Sequence, residues 1–149
     1  MRAITLAPAK AEDAPSLASL RVAAMRPSLE AVGRFDAERA RARFIDTFDP
    51  RATWYVVHEG QRVGVLVVRQ QTEGLLLDHL YIEPAVQGQA LGASVLQQVF
   101  AMAKKLRCVV HVGALKGSRS NAFYLRHGFK LDRVGEWDNY YIWAHASDA

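Results

Sequence analysis

The sequence predicts a mixed α/β fold, a mixed sheet with helices on its faces, and three observations carry that prediction. Apolar residues recur at helical spacing as far as Phe48, the period shortens to that of strands at Thr53, and beyond Gln87 helical and strand-like segments alternate. Residues 3–7 open the chain as a short strand. Glu12 and Asp13 then lead into a helix whose apolar stripe is Leu17, Leu20, Val22 and Ala24, with Pro27 expected to end or kink it. Residues 34–48 carry Phe35, Ala40, Phe44, Ile45 and Phe48 on a charged background and form a second helix, closed by Asp49-Pro50.

Residues 53–58, 62–69 and 74–83 are rich in Val, Leu, Tyr and Trp and are separated by turn-like stretches at 59–61 and 70–73, so three antiparallel strands follow. Pro84 stops the third. Leu91, Val95, Leu96, Val99, Met102, Ala103 and Leu106 line one face of a third helix, with Gln97, Gln98, Lys104 and Lys105 opposite. A β-branched strand at 107–112, a short helix at 118–127 ended by Gly128, and strands at 130–134 and 139–143 complete the order.

Composition narrows the class. The chain has 149 residues, 50% hydrophobic and 23% charged, which suits one globular domain with a buried core, and no linker or repeat divides it. The longest aliphatic run, 63–68, is far below the roughly 18 residues a membrane helix needs. Residues 1–10 reach Pro8 and Lys10 before any apolar stretch of signal-peptide length, so a cytoplasmic location is expected. Cys108 is the sole cysteine, which leaves no internal disulfide and no multi-cysteine metal site. The net charge is +4, with Lys and Arg scattered from Arg2 to Arg133, so no basic stripe for nucleic acid is expected.

The segment Gln87-Gly88-Gln89-Ala90-Leu91-Gly92-Ala93 lies between a strand and a helix. Small residues there let a ligand approach the main chain, and the first N–H groups of the helix point outward with the positive end of its dipole, which suits phosphate. The competing reading is a tight turn whose glycines serve geometry alone. The lysine of a nucleotide P-loop and the three-glycine dinucleotide spacing are both missing.

Leu80-Tyr81-Ile82-Glu83-Pro84, the segment 87–92, and Phe123-Tyr124-Leu125-Arg126-His127-Gly128-Phe129 together resemble the GNAT superfamily of acyl-CoA-dependent N-acyltransferases. The resemblance implies a mostly antiparallel sheet of about seven strands and four helices, splayed between strands four and five. It implies acetyl-CoA as acyl donor, no metal, and direct attack by a primary amine of a small molecule or peptide in a ternary complex. Many members of the family are dimers, which allows for a homodimer here. Gln87 to Ala93 match the pyrophosphate loop, with Ala90 where the family has its first glycine. Gly117 and Ser120 stand where the family commonly has asparagine and alanine; Ser118 is read as the helix N-cap, and Ser120 or Asn121 as reaching the cofactor beside Phe123.

By the same resemblance, a backbone amide within Leu80, Tyr81 and Ile82 polarises the thioester oxygen, and Tyr124 protonates the leaving thiolate. Tyr124 is otherwise a core aromatic. Asp78 and His79 are both candidates for taking the proton from the acceptor ammonium. Strand alternation puts them on opposite faces, Asp78 with Leu76, Leu80 and Ile82 as a buried carboxylate of raised pKa, whereas His79 has the more suitable unperturbed pKa. Met25, Arg26, Phe35, Trp137, Tyr140 and Tyr141 would line the acceptor pocket, although core-facing helices have the same spelling. Cys108 reads as a small core residue, and His58, His111, His127 and His145 show no metal spacing. A non-catalytic acyl-CoA sensor of the same fold is the alternative.

Overall fold

A computed structural model of the chain describes residues 4–31, 33–88 and 90–145. Among these, seven strands form one sheet: β1 (Thr5–Pro8), β2 (Thr53–His58), β3 (Gln61–Gln71), β4 (Gly74–Ile82), β5 (Val110–Leu115), β6 (Lys130–Val134) and β7 (Asp138–Trp143). Their order is β1-β2-β3-β4-β5-β7-β6, and every neighbouring pair is antiparallel except β4 with β5. Four α-helices, α1 (Ala14–Ala31), α2 (Ala37–Thr47), α3 (Leu91–Leu106) and α4 (Ser120–Arg126), cover the sheet.

Two layers of packing follow from the alternation of the strands. Leu17, Ala18 and Phe44 of α1 and α2 pack on Tyr55, Val65 and Val67. On the other face Leu91, Val95, Leu96, Val99 and Phe100 of α3 join Tyr124 of α4 over Leu66, Val68, Leu75, Leu77, Val110 and Val112. Val95, Leu96 and Val99 are fully covered, each worth about 1.5–3 kcal/mol in burial.

Several element ends differ from expectation for local reasons. Pro27 does not end α1; its ring removes only the bond to the carbonyl of Ala23, an exposed residue where water can take its place. Asp36 caps α2 by accepting the Arg39 N–H at 3.1 Å, so the helix begins at Ala37 and leaves Phe35 in the connection. β5 starts at Val110, not at 107, because Arg107 turns left-handed (φ 56) and Cys108 N–H bonds back to Ala103 at 3.0 Å, closing α3.

Two irregularities in β4 shape the middle of the sheet. Val67 pairs with His79 but Val68 pairs with Leu77, so Asp78 is an extra residue, a β-bulge. Beyond it, β4 has no partner on its other side among the described residues, of which only Leu75, Leu76 and Leu77 pair with β5, through Val110, His111 and Val112. Residues 113–115 of β5 continue on β7 alone, and the two central strands part.

Candidate active site

The parting of β4 from β5 leaves main-chain groups facing an opening. Glu83 N–H donates to the Val63 carbonyl at 2.8 Å, which fixes the direction of the strand end. The Tyr81 carbonyl also points to β3, against Gly64, where a Cβ would collide with it. Backbone groups alternate sides along a strand, so Leu80 and Ile82 present their N–H and C=O to the opening. The Ile82 carbonyl accepts the Gln87 side-chain amide at 2.8 Å, which ties the following loop to the strand.

At one end of the opening stands α3. Gly88 (φ 89) and Ala90 (φ 61) are both left-handed, and Ala90, the residue before the helix, offers no side-chain acceptor. The first bond back to Ala90 comes from Ser94 N–H at 3.2 Å, so the helix provides no acceptor for the N–H groups of Leu91, Gly92 and Ala93. Uncapped amides at the positive end of a sixteen-residue helix fit a phosphate. Gln89 lies outside the described residues. Gly92 lets α4 come close, since a Cβ there would sit 3.2 Å from Phe123 Cζ.

On α4, Tyr124 is 7% exposed, with its ring between Phe123 and Phe129 at 5.4 and 5.2 Å. Its hydroxyl has no hydrogen-bond partner among the described residues, and burial pushes its pKa well up, so the phenol keeps its proton. Asn121 is occupied elsewhere. Its Nδ2 donates to the Leu115 and Ser118 carbonyls, both at 2.9 Å, and its Oδ1 accepts from Tyr141 at 2.7 Å and Asn139 at 3.0 Å. That network fastens α4 to β5 and β7 and engages both polar atoms of the Asn121 side chain. Ser118 does not cap the helix with its hydroxyl, which accepts the Asn121 side chain at 3.3 Å; Ser120 is exposed in the first turn.

The bulge overturns the expected facing of Asp78 and His79. The extra residue switches the alternation, so Leu80 and Ile82 join Leu75 and Leu77 in the core under α3, while Asp78 and His79 turn to the side of α1 and α2. Their side chains converge, His79 Nε2 lying 3.7 Å from Asp78 Oδ2. Asp78 is 32% exposed at its side chain and accepts the Arg69 guanidinium at 2.9 Å. Desolvation opposes its ionisation, but its charged surroundings, the Arg69 hydrogen bond and charge and then Arg21, hold the carboxyl below its usual range. The buried, raised-pKa acid expected here is therefore absent. His79, tilted against Phe44 at 5.7 Å, is driven down to about pKa 3 by desolvation first and by Arg21 next, against Asp78, and is neutral at physiological pH.

The acceptor candidates separate. Tyr141 is 4% exposed and packs in the core on the α3 side, its hydroxyl on Asn121. Tyr140 is half-buried under the Arg133 guanidinium at 4.0 Å. Met25 is half-buried on α1, and Arg26 pairs with Glu30 at 3.0 Å and covers the Phe35 ring at 5.0 Å. A contact that sequence spacing does not reveal joins two rims: the Arg34 guanidinium lies 4.2 Å over Trp137, linking the α1–α2 connection to the β6–β7 turn. A cavity of about 190 Å³ lies between Leu17 and Leu20 of α1 and Tyr55 and Val65 of the sheet, on the same face as His79. No helix of the described residues is long and apolar enough to cross a membrane.

The chain is similar to known proteins. A family model described as an acetyltransferase (GNAT) domain matches residues 50–131, and the chain belongs to this family. Similar solved structures include PaiA N-acetyltransferase from Thermoplasma acidophilum in complex with coenzyme A, at TM-score 0.76 and 13% identity over 96% of this chain and 99% of that one. An acetyltransferase from Thermus thermophilus matches at TM-score 0.73 and 21% identity over 95% and 98%. The apo form of YjaB from Escherichia coli matches at 0.69 and 19% over 94% and 95%. No curated protein matches the sequence.

Proposed function

We propose that this chain is an N-acetyltransferase that moves an acetyl group from acetyl-CoA to a primary amine by direct attack in a ternary complex. The observation that carries the reading is the opening of β4 from β5 after Leu77, with free amides at the start of α3 and, on α4 packed beside that helix end, the buried Tyr124 phenol.

When bound, acetyl-CoA supplies an activated carbonyl and a thiolate leaving group. The amides of Leu91, Gly92 and Ala93, with Gly88 and Ala90 shaping the turn before them, hold its pyrophosphate. The edge of β4 at Leu80 and Ile82 offers N–H donors to the thioester oxygen as it gains charge. Tyr124 keeps its proton until sulfur develops charge and then donates it. Phe123 sets the distance between α3 and α4.

The amine approaches from the side of α1 and α2, where the bulge places Asp78 and His79. His79 is too weak a base to draw a proton from an ammonium and forms a neutral wall against Phe44. Asp78 is ionised and accessible but, held below the usual carboxylate range, is no stronger a base; it pairs with the incoming ammonium, which loses its proton to solvent water before attack. Met25, Phe35 and Tyr140 remain candidates for the acceptor side, with the 190 Å³ cavity beside α1 available to an apolar group.

Equilibrium binding of acetyl-CoA, followed by thiol release over a panel of amines, tests the reading. A folded protein that does not bind acetyl-CoA overturns it. Binding with no transfer to any amine would instead establish an acyl-CoA sensor.

A further inference from the structure

Asp78 is anchored through one oxygen only. Its Oδ2 accepts the Arg69 Nε–H at 2.9 Å and lies 3.7 Å from His79 Nε2, whereas its Oδ1 has no hydrogen bond or ion pair among the described residues. Arg69 reaches it from the neighbouring strand, where Val68 pairs with Leu77 and Arg69 with Leu76, just short of the bulge. A bulged residue is left unpaired in the ladder, so side-chain contacts set where the Asp78 carboxylate points. Asp78 is also the first residue of β4 beyond its pairing with β5, and Leu80, two residues further on, turns its N–H to the opening. Two residues of strand span about 7 Å, which a carboxylate side chain and one nitrogen can bridge.

The arrangement discriminates between cations. An alkylammonium is a compact charge that one carboxylate oxygen can hold, whereas a guanidinium engages a carboxylate through both oxygens in a planar fork. Arg69 already occupies Oδ2, with a side chain only 22% exposed. A guanidinium ligand would leave half of its fork unpaired and set one guanidinium beside another.

We propose that Arg69 is a positioning residue that acts through Asp78: by holding Oδ2 it aims Oδ1 at the acceptor nitrogen and selects an acceptor with a single compact ammonium over guanidines and amidines. This rests on the acetyltransferase reading above and names the acceptor class of that site.

The test compares n-butylamine and benzylamine with n-butylguanidine and benzylguanidine, reading calorimetric binding to the CoA complex and thiol release from acetyl-CoA. In the unaltered protein each amine should bind about 10-fold more tightly than its guanidine. Arg69→Met, which frees Oδ2, should bring that ratio toward one and raise KM for the amines more than it lowers kcat. Arg69→Lys, keeping a cationic donor on Oδ2, should restore the preference, and Arg69→Met should have no further effect on the ratio in an Asp78→Asn background. Guanidines bound as tightly as amines by the unaltered protein, or no binding of either amine, would overturn the site whether or not the variants fold. A ratio unmoved by Arg69→Met would also overturn it, reducing the pair to a structural contact while leaving any acetyl transfer intact. An Arg69-dependent amine preference with no thiol released would support the site and sink the transfer reading instead.

Discussion

Phe123 of α4 rests against the backbone of Gly92 in the first turn of α3, so closely that a Cβ at 92 would lie 3.2 Å from its ring. The contact joins the helix with free amides to the helix that carries Tyr124. Gly92→Ala should therefore separate two readouts. Helix propensity favours alanine by about 0.8–1 kcal/mol, so the melting temperature should hold or rise. Displacement of Phe123 should raise KM for acetyl-CoA several-fold. Unchanged KM would mean that the ring gives way without moving α4.

Ala90 occupies a left-handed position, φ 61, that glycine adopts freely. The left-handed strain of an L-residue is about 1–2 kcal/mol, and glycine returns part of that through the entropy of the unfolded chain. Ala90→Gly should stabilise the protein by about 0.5–1 kcal/mol in urea unfolding. A loss of stability would show that the surroundings relieve the strain already.

Tyr124 is buried with no hydrogen bond to lose among the described residues. Tyr124→Phe should leave unfolding free energy unchanged or slightly improved, while kcat falls about 10²-fold if the phenol is the proton donor. Full turnover in the variant at every pH would refute that role.

His79 gives a pH signature. Its folded pKa, about 3, lies below the unfolded value of 6.5, so between these limits the unfolded chain binds the extra proton. Stability should be complete above about pH 6.5 and decline as pH falls toward 3, by up to about 1.4 kcal/mol per pH unit. His79→Gln should flatten that part of the profile, leaving the contribution of Asp78, also depressed, to appear only at lower pH. A slope that persists above about pH 4 in the variant would place the proton uptake on another group.

Much of the fold is legible in the sequence because it is written in local periods. The stripe of Leu91, Val95, Leu96 and Val99 defines α3, and the two left-handed residues Glu59 and Gly60 make the β2–β3 turn that its spelling predicts. The site is less legible where long-range register decides. No spacing within β4 announces that Asp78 is an extra residue, since the slip exists only against Val67 and Val68 of β3. Regular alternation consequently assigns Asp78 and His79 to opposite faces, and the contacts that Asp78 makes with Arg69 and His79 disappear from view. Asn121 has the composition of a ligand contact, and only the positions of Asn139 and Tyr141, brought up by β7, reveal it as a fastening.

The parting of β4 and β5 also bears on solubility. Unpaired strand backbone at the outer margin of a sheet is a template on which other chains can add strands and aggregate. Here the unpaired stretch of β4 lies between β3 and the β5–β7 pair, in the fourth of seven positions. A strand from another molecule would have to enter the middle of a closed order to reach it. The fold thus keeps reactive main-chain donors open to a slender ligand without turning them into a site for intermolecular β-pairing.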